Sequence, residues 1–346
     1  MTKRRAVFLI LAFIFIVTFI PVAVLDLNLL LFGEGFCIRK FVVNSTFVGI
    51  FLLWAGVLLF FYVRFDRAYR VTYMDGYLSA KPFGYSPALV AALFRFGHVD
   101  YVDLPAMIGY FLNRYYVYIV KEKVSNHEIA LQPSNLPEGL PPHEQFLLRW
   151  LFDQAGEGSH LTGTHLAAIA ADGEKAKAFV QVFVQWQDAV RKDAYDAGFF
   201  FNYAKTGKVG AIIGVMFCVA GIGLSYVFDR SAFFIFFFLG LILFGYCRGL
   251  SKRTREGQEQ FELWMAYKRY LKDKLPDEPF GPEQAGAVME ALPYAVPLGV
   301  YSHMRETLQE RMNEEHKPEM EALYQMMQLM EAQTDLIGQI WKKAEE

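Results

Sequence analysis

Four small groups of residues in this chain carry side chains of the types that do chemistry. His160 and His165 stand five apart across a loop holding Gly158 and Gly163, with Glu157 just before them. Imidazole and carboxylate are zinc ligands, so the three can be drawn as a metal site. Histidines on such a polar loop are more often plain surface residues, and no metal is expected. His143-Glu144 and Glu314-Glu315-His316 pair an imidazole with carboxylates, the groups of general acid–base catalysis. Both read as solvated charges at helix ends. Asp100 and Asp103 are read as a loop residue and a helix N-cap rather than a catalytic pair. Walker A, GxGxxG, GxSxG, HExxH and CxxC patterns do not occur in the sequence. No catalytic residue and no cofactor is assigned; an enzyme would need a constellation assembled only in space.

The elements that must position these groups are dominated by apolar runs. Hydrophobic residues make up 54% of the chain, with 33 Phe, beside 20% charged residues. That balance is too apolar for an ordinary soluble protein and too charged for a pure membrane bundle. Residues 209–228 hold no charge, Asp229-Arg230 interrupts, and residues 231–247 are again uncharged. About 20 apolar residues cross a bilayer, and two such runs joined by a polar pair form an antiparallel hairpin. A second hairpin is expected at the N-terminus, from the runs 6–25 and about 41–63. The first has no small-x-small cleavage site after it and reads as an anchor, not a signal peptide.

Charge sets the orientation. Lys3, Arg4, Arg5, Arg64, Arg67, Arg70, Lys205, Lys208, Arg248, Lys252, Arg253 and Arg255 flank the four runs on one side, against Arg39, Lys40 and Arg230 on the other. The positive-inside rule then places both termini and the long middle segment in the cytoplasm. No ionisable residue other than Cys and Tyr lies within a run, which disfavours a transporter. Gly210 and Gly214 form a GxxxG read as packing between spans. Cys37, Cys218 and Cys247 offer no disulfide framework.

Between the hairpins, Ser86-Pro87 opens a helix, Asp103 is expected to cap a second, and residues 116–131 alternate around a Ser125-Asn126 turn. Helix, helix, β-hairpin is the outline of a winged helix. DNA binding is disfavoured, because residues 64–208 hold fifteen Lys+Arg against fifteen Asp+Glu. Only Asn113 and Arg114 on the second helix could meet bases or phosphates. After the proline-rich stretch 133–142, a second helical unit follows, with Phe179, Val182, Phe183, Trp186 and Val190 as one stripe of a long helix. Phe199, Phe200, Phe201 and Tyr203 read as an interfacial aromatic belt. Past the second hairpin, Phe261, Trp264, Tyr267, Tyr270 and Leu271 mark an inward helix face, and Pro293 and Pro297 are expected to break the next element. Met320, Leu323, Met327, Met330, Thr334, Ile337 and Trp341 follow coiled-coil spacing. Met320, Leu323, Met327, Met330, Ile337 and Trp341 are the candidate partner-binding residues, Met being suited to adaptable contacts; docking on the chain's own domain is the alternative.

Several stretches resemble the YciQ-like family of predicted bacterial membrane proteins, domain of unknown function 2207. They are Ser86 to Leu93 (SPALVAAL), Leu104 to Val120, Pro142 to Leu148 (PHEQFLL), Arg253 to Gly257 (RTREG), Trp264 to Leu271 (WMAYKRYL) and Leu292 to Val300 (LPYAVPLGV). The resemblance implies tandem winged-helix-like cytoplasmic domains around a transmembrane hairpin, and no catalytic residues. The chain departs from the family in lacking its extracytoplasmic β-sandwich. The expected fold is thus a mainly α membrane protein: four transmembrane helices in two hairpins, tandem winged-helix-like α+β domains and a C-terminal helical arm. The expected boundaries are 1–63, 64–135, 136–208, 209–247, 248–317 and 318–346. The functional expectation is a multi-pass inner-membrane scaffold or adaptor, in contact with lipid and with a protein partner or a second copy. The rivals are a membrane-tethered transcription regulator and a membrane enzyme.

Overall fold

The computed structural model of the chain describes residues 38–66, 69, 76–82, 84–120, 128–275, 282–314 and 318–346. The run 6–25 with Lys3, Arg4 and Arg5, Cys37, Arg67, Arg70 and the Ser125-Asn126 turn lie outside the described residues. The described chain is mainly helical. Its helices are α1 (Ile38–Phe61), α2 (Pro87–Arg95), α3 (Asp103–Asn113), α4 (Pro142–Arg149), α5 (Gly163–Ala171) and α6 (Gly173–Asp196). There follow α7 (Ala204–Phe228), α8 (Ile235–Arg248), α9 (Arg255–Asp273), α10 (Pro282–Leu298), α11 (Tyr301–Glu314) and α12 (Pro318–Glu345). Strands β1 (Val117–Ile119), β2 (Ile129–Leu131) and β3 (His160–Leu161) pair antiparallel in the order β1-β2-β3. The chain divides into two compact units, Met1–Arg67 with Tyr203–Leu250, and Ala68–Asn202 with Ser251–Glu346.

Among the described residues, the first unit holds three helices long and apolar enough to cross a membrane: Val43–Phe65, Lys205–Phe228 and Ser231–Arg248. Leu52, Leu53, Ile212, Met216 and Val219 stand exposed along them. Apolar surface on that scale is stable against hydrocarbon, not against water. Small residues let α7 and α8 close on each other. A Cβ on Gly214 would come within 2.7 Å of the Phe244 nitrogen, and one on Gly240 within 2.5 Å of the Gly214 oxygen. The glycine spacing of α7 therefore serves the hairpin itself. Trp54 Nε1 donates to the Leu239 carbonyl at 3.1 Å, sewing α1 to α8 without leaving a buried N–H unpaired.

The second unit has one continuous hydrophobic core, to which α2–α6 and α9–α12 all contribute. Ser86 caps α2 by accepting from the Leu89 N–H at 3.3 Å, with Pro87 at the first helical position. Asp103 does not cap α3: that place belongs to Val102, which makes no side-chain cap bond. Its buried carboxylate instead takes the Asp100 N–H at 2.7 Å and Arg95 Nη1 at 2.5 Å, closing the turn between α2 and α3. On α6, Phe179, Phe183, Trp186 and Val190 are buried as their spacing predicts; on α9, Trp264, Tyr267 and Leu271 are.

α10 runs unbroken through Pro293 and Pro297, contrary to expectation. A helical proline frees the carbonyl four residues back, which for Pro293 is that of Met289. Asn113 Nδ2 donates to that oxygen at 2.7 Å. Burial of Leu292, Tyr294, Ala295 and Leu298 holds the rest of the helix in place.

Candidate functional site

The most highly constrained polar cluster among the described residues joins three helices that are far apart in sequence. His143 is the second residue of α4, a helix whose N-cap, Pro141, offers no side-chain bond. The missing cap arrives from the end of α6. Asp193 Oδ2 accepts the His143 backbone N–H at 2.9 Å and also bonds His143 Nδ1 at 2.7 Å. A carboxylate at a helix N-terminus is further favoured by the helix dipole. With Nδ1–H given to Asp193, Nε2 is left as an acceptor, and it lies 2.8 Å from Ser86 Oγ. Ser86 thus accepts from Leu89 and donates to His143. Trp186 Nε1 donates to the His143 carbonyl at 3.1 Å, closing the last polar group of that residue.

His143 is 0% exposed, Ser86 2%, Glu144 3% and Asp193 9%. The reading of His143-Glu144 as solvated charges is therefore corrected: both face the core. Pro141-Pro142 reads as an exposed helix start, and Asp193 sits fifty residues downstream among the polar residues of α6. Only the tertiary fold brings them together. Burial pushes the Asp193 carboxyl up, but hydrogen bonds from His143 outweigh it and hold the group below the usual carboxylate range. For Glu144 burial wins; His143, Arg114 and Tyr110 only partly offset it, and the carboxyl stays raised. Asp103 is raised by burial in the same way, against Arg95.

These shifts give a pH prediction. A carboxyl raised in the folded state opposes folding when ionised, so Glu144 and Asp103 add stability as pH falls through their folded values toward about 4. Asp193 has the opposite sign, and its contribution is lost only as pH drops below about 4. Denaturant midpoints in detergent are expected to be higher at pH 5 than at pH 7.5, and Glu144→Gln to flatten that difference. A midpoint that falls steadily from pH 7.5 to 5 would refute the assignment.

Serine to histidine to aspartate is the connectivity of a hydrolytic triad. Sealed as it is, the cluster in this conformation ties α2, α4 and α6 together with its polar atoms satisfied. The other candidates go elsewhere. His160 Nδ1 bonds the buried Glu128 at 2.9 Å, while His165 closes a capping box with Thr162 at the start of α5 and lies 3.8 Å from Glu157. No group of three or more metal-binding side chains occurs among the described residues. Met320 lies on α12 with its side chain outside the described set. Leu323, Met327, Met330 and Ile337 are buried in the core, where α12 packs on α3, α5, α6 and α10 of its own chain. Trp341 stacks on Tyr101 at 5.4 Å and meets Phe183 edge-on at 4.7 Å.

A second constrained place lies where the second unit gives way to α7 and α8 and resumes. Phe201 N–H donates to the Lys252 carbonyl at 3.0 Å, and Thr254 N–H to that of Phe199 at 2.9 Å. Thr254 caps α9 and also donates its hydroxyl to the Gly198 carbonyl at 2.5 Å. A Cβ on Gly257 would fall 2.2 Å from the Phe199 oxygen, so only glycine allows this approach. Phe199 and Phe200 are buried here, at 1% and 4% exposure, and are core residues rather than part of an interfacial belt. Arg253 lies between the rings of Phe96 and Phe261, at 4.2 and 3.8 Å, and forks onto the Leu93 carbonyl at 3.0 and 2.8 Å. It satisfies the C-terminal end of α2 with a cation.

These contacts draw on the stretches that carried the family resemblance: Ser86 meets His143, Arg253 meets Leu93, and Trp264 stacks on Tyr294 at 5.1 Å. Comparison with curated proteins and with solved structures gives no match. A family model described as the C-terminal domain of the predicted membrane proteins DUF2207 matches residues 75–308. That span is more than half of the chain and contains both constrained places, and the chain belongs to the DUF2207 family of predicted membrane proteins.

Proposed function

We propose that the chain is a multi-pass protein of the bacterial inner membrane, with four spans and cytoplasmic termini. Its tandem winged-helix-like soluble part then acts as a scaffold that contacts another protein. The basic residues at the ends of the apolar helices support the orientation. One observation carries the contact. Tyr115 is 74% exposed and adopts a left-handed backbone, φ 57°, that an aromatic residue avoids. Its N–H is held by the Leu112 carbonyl at 3.0 Å, and its own carbonyl accepts from Asn135 Nδ2 at 3.0 Å. Conformations of this kind cost about 1–3 kcal/mol and cluster at functional positions. Tyr118, 46% exposed, lies on β1, an edge of the sheet, and exposed tyrosines beside a strand edge suit protein contact. With the C-terminal seam engaged in its own body, this aromatic pair is the better candidate for the partner face. Charge and geometry do not favour DNA, since Asn113 serves the Met289 carbonyl and Arg114 lies over the Tyr110 ring.

The test places a photo-crosslinking residue at Tyr118 in native membranes. A discrete protein adduct that disappears with Tyr115→Gly, while thermal stability holds or rises by relief of the strained backbone, supports the reading. Adducts to lipid alone, or adducts indifferent to Tyr115→Gly, would remove it. A second reading, a membrane hydrolase, is favoured by the Ser86–His143–Asp193 geometry alone and requires the cluster to open. Fluorophosphonate labelling abolished by Ser86→Ala supports it, and no labelling in native membranes excludes it.

A further inference from the structure

The membrane unit contains a groove of about 610 Å³ between α1 and α7, within the size range of ligand-binding clefts. Leu52, Leu53, Phe60, Phe61, Val209 and Ile213 make its walls, and the floor opens at Gly56, where a Cβ would meet nothing within 4 Å. Phe65 and Thr206 stand at one end. That end alone is basic: Arg64 precedes Phe65, Lys205 and Lys208 flank Thr206, and all three cations are exposed. The walls face the hydrocarbon region, because the neighbouring side chains on the same helices are exposed and apolar. An apolar cleft in a bilayer with cations at the headgroup level is complementary to a lipid of negative charge.

We propose that this groove is a binding site for an anionic glycerophospholipid. One acyl chain lies along α1 and α7, and the phosphate is held by Lys205, Lys208 and Arg64 beside the Thr206 hydroxyl. Zwitterionic lipids fill the same walls without the charge attraction, so the site selects by headgroup.

The full-length protein is purified in mild detergent, delipidated and given phosphatidylglycerol or phosphatidylethanolamine, and retained lipid is read by native mass spectrometry. Phosphatidylglycerol is expected to be retained selectively. Lys205→Gln with Lys208→Gln is expected to weaken that retention by roughly 30-fold, at about five-fold per surface cation. Gly56→Leu projects a side chain into the open floor, where a Cβ meets nothing within 4 Å, and is expected to abolish retention of both lipids while the thermal transition is kept. Equal retention of the two lipids overturns the proposal in favour of a plain annular contact. The chain's own apolar run 6–25 is the other occupant: a disulfide formed in membranes between Val209→Cys and a cysteine placed in that run would also overturn it.

Discussion

Ending the chain at Lys317 is expected to unfold the second unit, not merely to trim an arm from it. Leu323, Met326, Met327, Leu329, Met330, Ile337 and Ile340 are each at most 2% exposed. Burying one such side chain contributes about 1.5–3 kcal/mol, and extended-chain bookkeeping overstates that by up to about 40%. Seven of them, even after that discount, match the whole stability of an ordinary domain, about 5–15 kcal/mol. The loss also reaches the opposite wall. Gly109 on α3 leaves room for α12, with Met326 Cε 2.8 Å and Met330 Sδ 3.0 Å from where its Cβ would be. Removing the helix therefore opens a trough over α3. The measurement is a thermal melt with limited proteolysis in detergent, beside a control ending after Trp341. The shorter chain is expected to lose its cooperative transition and the control to keep it. An intact protease-resistant unit without α12 would show that the helix is an appendage, and would return its seam to the list of partner surfaces. A partner lost on this truncation is thus no proof of contact through α12.

Arg253→Met is expected to destabilise the unit by about 3–5 kcal/mol. The guanidinium makes two charge-assisted bonds to one carbonyl and a third, at 3.4 Å, to that of Phe94. Bonds to charged groups contribute about 1.5–3 kcal/mol each, and ring stacking about 0.5–2 kcal/mol more. Methionine fills the space between Phe96 and Phe261 but leaves the end of α2 without donors. Arg253→Lys keeps the charge and loses the fork, so it should fall between the two, nearer to methionine. Denaturant midpoints at constant slope decide this. A change below about 0.5 kcal/mol, the usual range of surface substitutions, would mean that water replaces the guanidinium at no cost.

The legible parts of the fold are those where one segment carries its own pattern. The stripe on α6, the Ser86-Pro87 start of α2 and the uncharged runs of α7 and α8 each follow from local spacing and composition. The remaining parts depend on a partner distant in sequence. β3 is two residues long inside a polar loop, and only pairing with β2 makes it a strand. Asn113 reads from sequence as a base-reading side chain because nothing near it in the chain announces the Met289 carbonyl. The prolines of α10 looked like breaks for the same reason. Of the candidate site, Ser86 was legible as a cap, whereas His143 and Asp193 were not legible as its partners. Each has a sufficient local explanation, as a helix-end charge and as a polar-face residue.

The backbone bonds between Phe201 and Lys252 mark where a membrane segment interrupts a folded body, and this dictates an order of assembly. As the chain leaves the ribosome, α2–α6 emerge first with the apolar faces that α9, α10 and α12 will cover. Those faces cannot be covered until α7 and α8 have been made. The second unit therefore completes its core only after α7 and α8 have been synthesised, never before. Its first half must be shielded from aggregation while translation runs from the end of α6 at Asp196 to the end of α12 at Glu345, roughly 150 further residues or about 7–30 s at about 5–20 residues per second. A chain that stops within α7 or α8 is left with an unfinished core, so an interrupted synthesis yields a substrate for proteolysis.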